Sequence, residues 1–312
     1  PPSLLKKSRW RNRAKNLPER TGDLWWLFSR QTISVTQKED VLNAAIVMQK
    51  RNFRHLPVIT ESGKIAGIVS AQDIIDSLAL VLGPGSTHEK IVESLNIPVH
   101  RIMAIHPIVV EKGDGLSEVV KKLIAHNVGA LPVVDEMGRV QGIITLRDIV
   151  GLLGTGSEPL GVKVSELMTR KITTIEPEST VSEAVRLMSE IRVRRLPVLS
   201  RKRPDLLGMF TNKDVLRLVS KLASGEKDSN VSFGSTISEN MTKEVINISQ
   251  DDDIRVAASR MMIFGIGGLG VETPESKISG LITERDLVKR LSEVRSVSFL
   301  VDSMKFELEL QN

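Results

Sequence analysis

Four aspartates stand three residues after a serine or threonine in matching surroundings: Ser70 and Asp73, Thr145 and Asp148, Thr211 and Asp214, Thr283 and Asp286. Each pair closes the same phrase, as in Gly142-Ile143-Ile144-Thr145-Leu146-Arg147-Asp148: a glycine, a short apolar run, the hydroxyl residue, two variable positions and the acid. The other copies start at Gly67, Gly208 and Gly280, and an apolar helical pattern resumes beyond each aspartate. A strand that ends in a hydroxyl residue and turns straight into a helix gathers unsatisfied backbone N–H groups, a hydroxyl and a carboxylate at one point. That chemistry suits a ligand carrying both a phosphate and a ribose diol. The same spacing also fits a capping box, in which the hydroxyl caps the helix and the acid bonds back. Capping boxes favour Glu or Gln at the acidic position, whereas all four copies use Asp.

The elements that must position these residues repeat with them. Leu56-Pro57-Val58, Leu131-Pro132-Val133 and Leu196-Pro197-Val198 precede the motif, and Leu269-Gly270-Val271 keeps the frame in the fourth copy. A turn separates each of these runs from its motif, so the two read as a hairpin; in the third copy that turn is Arg201 to Pro204. Ahead of the hairpin, Val41, Ala44, Ala45 and Met48 share one helical face. So do Leu116, Val119, Val120 and Leu123; Val181, Ala184, Val185 and Met188; and Ile254, Ala257, Ala258 and Met261. A short strand lies before each helix, at Ile33 to Val35, Ile108 to Val110, Thr173 to Ile175 and Ile246 to Ile248. Each unit is therefore strand, helix, strand, strand, helix, too small to cover its own sheet, and the units should pair. Loops are expected at 84–98 and 154–163. The residues just before Leu-Pro-Val differ in kind: Arg54-His55 and Arg194-Arg195 are basic, Gly129-Ala130 and Gly267-Gly268 small.

With 312 residues, 41% apolar and 26% charged, the chain has the balance of a soluble globular protein. It has no cysteine, which excludes disulfides, thiolate catalysis and sulfur-ligated metals, and suits a reducing cytoplasm. No apolar run reaches the ~20 residues of a membrane span, and no signal peptide is expected. Residues 1–30 hold eight basic residues against Glu19 and Asp23, while the whole chain carries only +5, so the remainder is close to neutral. Residues 1–23 are expected to form a flexible arm. With Trp10 among its cations it can lie on DNA, RNA or an acidic partner, or remain a solvated tail. Phe306 to Leu310 alternates apolar and acidic residues, as an edge or docking strand would. The five histidines show no ligand spacing, and no P-loop, His-Glu-x-x-His or nucleophile elbow occurs. The glycines from Gly265 to Gly270 sit between a helix and a strand, the reverse of a dinucleotide fingerprint. No metal site, no catalytic cofactor and no enzyme activity are expected.

The fourfold pattern, Leu-Pro-Val followed by Gly-φ-φ-Ser/Thr-x-x-Asp, resembles the CBS domain, named after cystathionine β-synthase, from residue 27 to about residue 292. The resemblance implies a mixed α/β fold of the α+β kind, with four β-α-β-β-α CBS repeats at 24–83, 99–154, 162–223 and 235–292 and a tail at 293–312. It implies pairing into two Bateman modules, in a disc-like pseudo-fourfold arrangement within one chain or as a homodimer, as in stand-alone archaeal proteins and the γ subunit of AMP-activated protein kinase. It implies clefts that bind AMP, ADP or ATP. There Asp73, Asp148, Asp214 and Asp286 would accept the ribose hydroxyls, while Ser70, Thr145, Thr211 and Thr283 cap the helices. Arg54, His55, Arg194 and Arg195 would contact phosphate. Gly129 and Ala130, across from the first basic pair, and Gly267 and Gly268, across from the second, would admit the adenine. Arg147, Lys213 and Arg285, next to their aspartates, either assist or face solvent. The expected role is an adenine-nucleotide sensor that passes occupancy to a protein partner. The alternatives are a nucleic-acid-binding or scaffolding protein that uses the basic arm, and a receptor for S-adenosylmethionine, which the arginine-rich clefts disfavour because that ligand has no phosphate.

Overall fold

Each repeat folds as the spacing of its apolar residues dictates, with one helix before a hairpin and a second after it. The computed structural model describes residues 32–83, 86–156, 158–200, 203–224, 232–274, 278–293 and 300, so the basic arm and the alternating segment 306–310 lie outside the described residues. The first repeat runs β1 (Val35–Thr36), α1 (Val41–Arg51), β2 (His55–Ile59), β3 (Ile65–Ser70) and α2 (Ala71–Ala79). Then come α3 (His88–Leu95), a 3-10 turn (Val99–Arg101) and β4 (Ala104–Ile105). The second repeat is β5 (Val110–Glu111), α4 (Leu116–Ala125), β6 (Ala130–Val134), β7 (Val140–Thr145) and α5 (Leu146–Thr155). After α6 (Val164–Leu167), the third has α7 (Val181–Glu190), β8 (Arg195–Ser200), β9 (Arg203–Thr211) and α8 (Asn212–Ser224). After α9 (Ile237–Asn240), the fourth has β10 (Asn247–Ser249), α10 (Ile254–Phe264), β11 (Gly268–Glu272), β12 (Ile278–Thr283) and α11 (Glu284–Ser292).

The four expected helical stripes are all buried, on α1, α4, α7 and α10. Each hairpin is antiparallel, and the strand ahead of the first helix adds in parallel: β1 on β2, β5 on β6, β10 on β11. In the third repeat that strand is reduced to one parallel bridge, Ile175 to Val198. Three local expectations change. Residues 84–98 are not all loop, because α3 forms there: Thr87 caps it by accepting the Lys90 N–H at 3.3 Å, and Ile91 and Leu95 bury one face. Similarly, α5 continues to Thr155, into the second expected loop. Arg203 and Pro204, expected in a turn, already belong to β9.

Two compact units emerge, and they are not made of sequence neighbours. One contains 33–107 and 172–245, hence the bodies of repeats one and three; the other contains 108–171 and the chain from 246 on, the bodies of repeats two and four. In the first unit α1 packs on α8 and α2 on α7; in the second, α5 packs on α10 and α11 on α4. Small residues allow close crossing. A Cβ on Gly154 of α5 would lie 3.0 Å from the Ser259 N of α10, whose hydroxyl donates to Gly154 O at 2.9 Å. Fully burying each Val, Leu or Met of these stripes contributes about 1.5–3 kcal/mol, so the helix faces hold each unit together.

The segments leading into repeats two, three and four stay with the unit of another repeat's sheet. β4 pairs with β3, Thr242 exchanges backbone bonds of 2.9 and 3.0 Å with Met209, and Thr169 bonds of 2.8 and 3.0 Å with Leu281. The expected repeat limits at 99, 162 and 235 therefore include lead-ins that fold onto a different repeat. This explains the motif glycine: a Cβ on Gly67, Gly208 or Gly280 would lie 2.6–2.8 Å from a lead-in carbonyl, of Ala104, Thr242 and Thr169 respectively.

Candidate functional site

The chain leaves the first helix of every repeat through a left-handed residue: Asn52 (φ 55°), Asn127 (φ 53°), Arg192 (φ 56°) and Gly265 (φ 64°). The next residue bonds back to the last helical turn, Phe53 N–H to Met48 O at 2.8 Å and its counterparts from Val128, Val193 and Ile266 at 3.0–3.1 Å. After this turn come Arg54-His55, Gly129-Ala130, Arg194-Arg195 and Gly267-Gly268. Ladder register then sets His55 opposite Ser70, Ala130 opposite Thr145, Arg195 opposite Thr211 and Gly268 opposite Thr283. The first member of each pair accepts the N–H of the first residue of the second helix. Ala71 donates to Arg54 O at 2.9 Å, and Leu146, Asn212 and Glu284 donate to Gly129, Arg194 and Gly267 at 3.1 Å. Thus the pair and the Ser/Thr-x-x-Asp of one repeat meet at one helix N-terminus, of α2, α5, α8 and α11 in turn.

The carboxylate half of a capping box is formed at all four. Ser70 donates to Asp73 Oδ2 from its N–H at 2.7 Å and its hydroxyl at 2.8 Å. Thr145, Thr211 and Thr283 do the same to Asp148, Asp214 and Asp286 at 2.6–2.8 Å. Every one of these bonds uses Oδ2, so capping and ligand binding are compatible roles, with Oδ1 outside the box. The four carboxylates are not equivalent. Asp148 and Asp214 are each 2% exposed, whereas Asp73 and Asp286 are only half-buried. Burial pushes the Asp73 carboxyl above its ordinary range, against the pull of its bonds from Ser70. Burial also raises Asp214, opposed first by Arg217 and then by Thr211. Arg217 Nη1 sits 3.0 Å from Asp214 Oδ1.

Two of the cations beside the aspartates bond to the protein itself. Arg147 Nε lies 3.0 Å from Glu284 Oε1, with side chains 17% and 4% exposed. Arg285 donates to Asn127 Oδ1 at 2.6 Å and to its carbonyl at 3.3 Å. Each reaches from its own repeat to the other repeat of the same unit. Lys213 is half-buried. Arg54, His55, Arg194 and Arg195 are also half-buried and belong to the unit of repeats one and three, while Gly129, Ala130, Gly267 and Gly268 belong to the other. The left-handed residues and Arg217 were not singled out from the sequence. Asn or Gly two positions before each pair, in three of four repeats, is the signal that could have found the former. Among the described residues no group of three or more His, Asp or Glu is placed to hold a metal ion, and no helix is long and apolar enough to cross a membrane.

A family model for the CBS domain matches residues 23–80, 99–154, 164–221 and 235–293. The chain belongs to the CBS-domain family. Relatives are similar to it over most of both chains. A 33.4 kDa protein in the ribosomal RNA operon of Thermofilum pendens is 34% identical over 281 residues, covering 86% of this chain and 90% of its own. Protein MJ1225 of Methanocaldococcus jannaschii is 27% identical over 277 residues, covering 84% of this chain and 95% of that one. The crystal structure of MJ1225, described as a candidate archaeal homologue of γ-AMPK, superposes with a TM-score of 0.74 at 25% identity, over 86% of this chain and 99% of that one. A protein from Pyrococcus horikoshii shares the fold at TM-score 0.56 and 21% identity, over 85% of this chain and 97% of that one.

Proposed function

We propose that this four-CBS chain is a regulatory protein that binds adenine nucleotides, AMP, ADP or ATP, and passes their occupancy to a protein partner. The observation that carries the reading is the register of the hairpins. It sets a basic pair directly against a helix N-terminus, its hydroxyl residue and its aspartate, at Asp73 and again at Asp214. A phosphate is favoured there by the helix N-terminus together with Arg54 and the His55 imidazole at the first place and with two guanidinium groups, of Arg194 and Arg195, at the second. Asp73 Oδ1, outside the capping box, suits a ribose diol. Gly267-Gly268 carries no side chain at the matching place beside Asp286 and leaves room for a base edge, whereas Gly129 and Ala130, beside Asp148, are small but buried.

Calorimetric titration with AMP, ADP and ATP tests this. Charge-assisted bonds contribute about 1.5–3 kcal/mol each, so Asp73→Ala should weaken binding roughly ten- to a hundredfold at one site. Arg194→Ala should weaken a second site and favour ligands with fewer phosphates. Unchanged binding in both Asp73→Ala and Asp214→Ala would overturn the residue assignment.

A further inference from the structure

Asp214 is held by a cation of its own helix. Arg217, three residues on in α8, holds Asp214 Oδ1 with Nη1 at 3.0 Å, and its Nη2 donates to the Asn240 carbonyl at 2.6 Å. Asn240 ends α9, the lead-in helix of the fourth repeat. Immediately after it, the Met241 sulfur lies against Gly208, and Thr242 exchanges its two backbone bonds with Met209. One guanidinium thus spans the buried carboxylate and the segment that closes the β9 edge. The same position in the other repeats is Asp76, Gly151 and Lys289, none of them a guanidinium able to bond two groups at once.

We propose that Arg217 is a latch, which a diol-bearing ligand at Asp214 must displace and which, once displaced, loosens the docked lead-in of the fourth repeat. This rests on the nucleotide reading above for the ligand, but not for the latch. Asp214 Oδ2 already accepts two hydrogens from Thr211. A diol therefore needs Oδ1, the oxygen that Arg217 occupies, and at 2% exposure Asp214 is reached only if Arg217 moves. Both bonds that Arg217 makes are charge-assisted, but only the one to the carboxylate joins opposite charges, and it fixes the plane of the guanidinium. Without it the bond to Asn240 loses its orientation. Local opening of the lead-in is the readout, not the melting point, because the melting point of a variant would also report the loss of a cation beside a carboxylate that is 2% exposed.

The experiment is amide exchange at Met209 and Thr242 in the full chain, wild type against Arg217→Met and Arg217→Lys, with and without saturating AMP, alongside calorimetry. Without ligand, Arg217→Met should speed exchange at both amides about tenfold, and Arg217→Lys, which cannot bond both groups, should do nearly as much. AMP should bring the wild type to the rate of Arg217→Met and leave that variant unchanged, and Arg217→Met should bind AMP more tightly at this site. Equal exchange of wild type and Arg217→Met without ligand overturns the latch. Bound AMP, seen as heat, with unaltered wild-type exchange overturns the coupling, as does weaker AMP binding by Arg217→Met. Absence of any AMP heat in the wild type refutes the nucleotide reading and the coupling with it, while the ligand-free comparison still decides whether Arg217 clamps the lead-in.

Discussion

Gly67→Ala tests whether the motif glycine serves the docked lead-in. The added Cβ would lie 2.6 Å from the Met103 sulfur and 2.8 Å from the Ala104 carbonyl oxygen. The sulfur ends a flexible side chain and can turn away, but the carbonyl belongs to β4, whose Ala104 and Ile105 face Ile68 and Gly67 in the ladder. Either β3 and β4 separate, losing ladder bonds of about 1 kcal/mol each, or the overpacked contact is tolerated at about 1–3 kcal/mol. A loss of about 2 kcal/mol follows from either route. Two other glycines calibrate the measurement. Gly113→Ala meets nothing within 4 Å and has no positive φ, so it should be neutral or stabilising by up to about 1 kcal/mol. Gly63→Ala has open space but φ +76°, so only backbone strain of about 1 kcal/mol opposes it. Urea unfolding followed by far-UV circular dichroism ranks the three, and amide exchange at Ile68 and Ile105 locates the effect. If Gly67→Ala unfolds with Gly113→Ala, and Ile105 keeps its protection, the glycine is not there to admit the lead-in.

The buried pair of Arg147 and Glu284 should be sensitive to truncation from one side. Arg147→Ala takes the cation from a carboxylate that is 4% exposed and should cost up to about 3 kcal/mol, whereas Arg147→Met with Glu284→Leu should cost less, as a double-mutant cycle in urea would show. Arg192→Gly should stabilise by about 0.5–1 kcal/mol in thermal melts, because it relieves a left-handed φ of 56° and gives up only an exposed contact to Asp76. Burial raises Asp73 and Asp214 above 3.8, so as pH falls the folded chain takes up these protons before the unfolded chain does. The native state therefore gains stability from both groups as pH drops from neutrality through their folded pKa values, and the gain is complete below about 3.8. Urea midpoints of the wild type relative to the Asp73→Asn, Asp214→Asn double variant should rise over that window; a difference independent of pH would contradict the burial argument.

Much of each repeat was legible because its signals are local and written four times. The stripes such as Val181, Ala184, Val185 and Met188 could face only a core, and Ser/Thr-x-x-Asp was bound to start a helix whether or not it held a ligand. What the sequence hid were the contacts between repeats. Nothing in Gly67 tells that its missing side chain makes room for Ala104 rather than for a ligand. Arg147 and Arg285 look like solvent-facing cations until Glu284 and Asn127 are seen beside them. Arg217 lay outside the repeated phrase, so comparison of the copies passed over it. The helix α3 was obscured by the polar residues His88 to Lys90 and by a stripe of just two apolar positions, Ile91 and Leu95.

The pairing of alternate repeats also governs how the chain can be made and cut. Neither unit is complete until the ribosome has passed residue 245, since one needs residues 172–245 and the other those from 246 on. Contacts of such long sequence separation slow folding and leave the helix faces of the first two repeats uncovered while synthesis continues. A cut between repeats two and three, near residue 157, would yield two half-chains with no whole unit in either. Each half would carry bare stripes such as Val41 to Met48 that fit the missing half, so the fragments should be insoluble apart and should reassemble when expressed together.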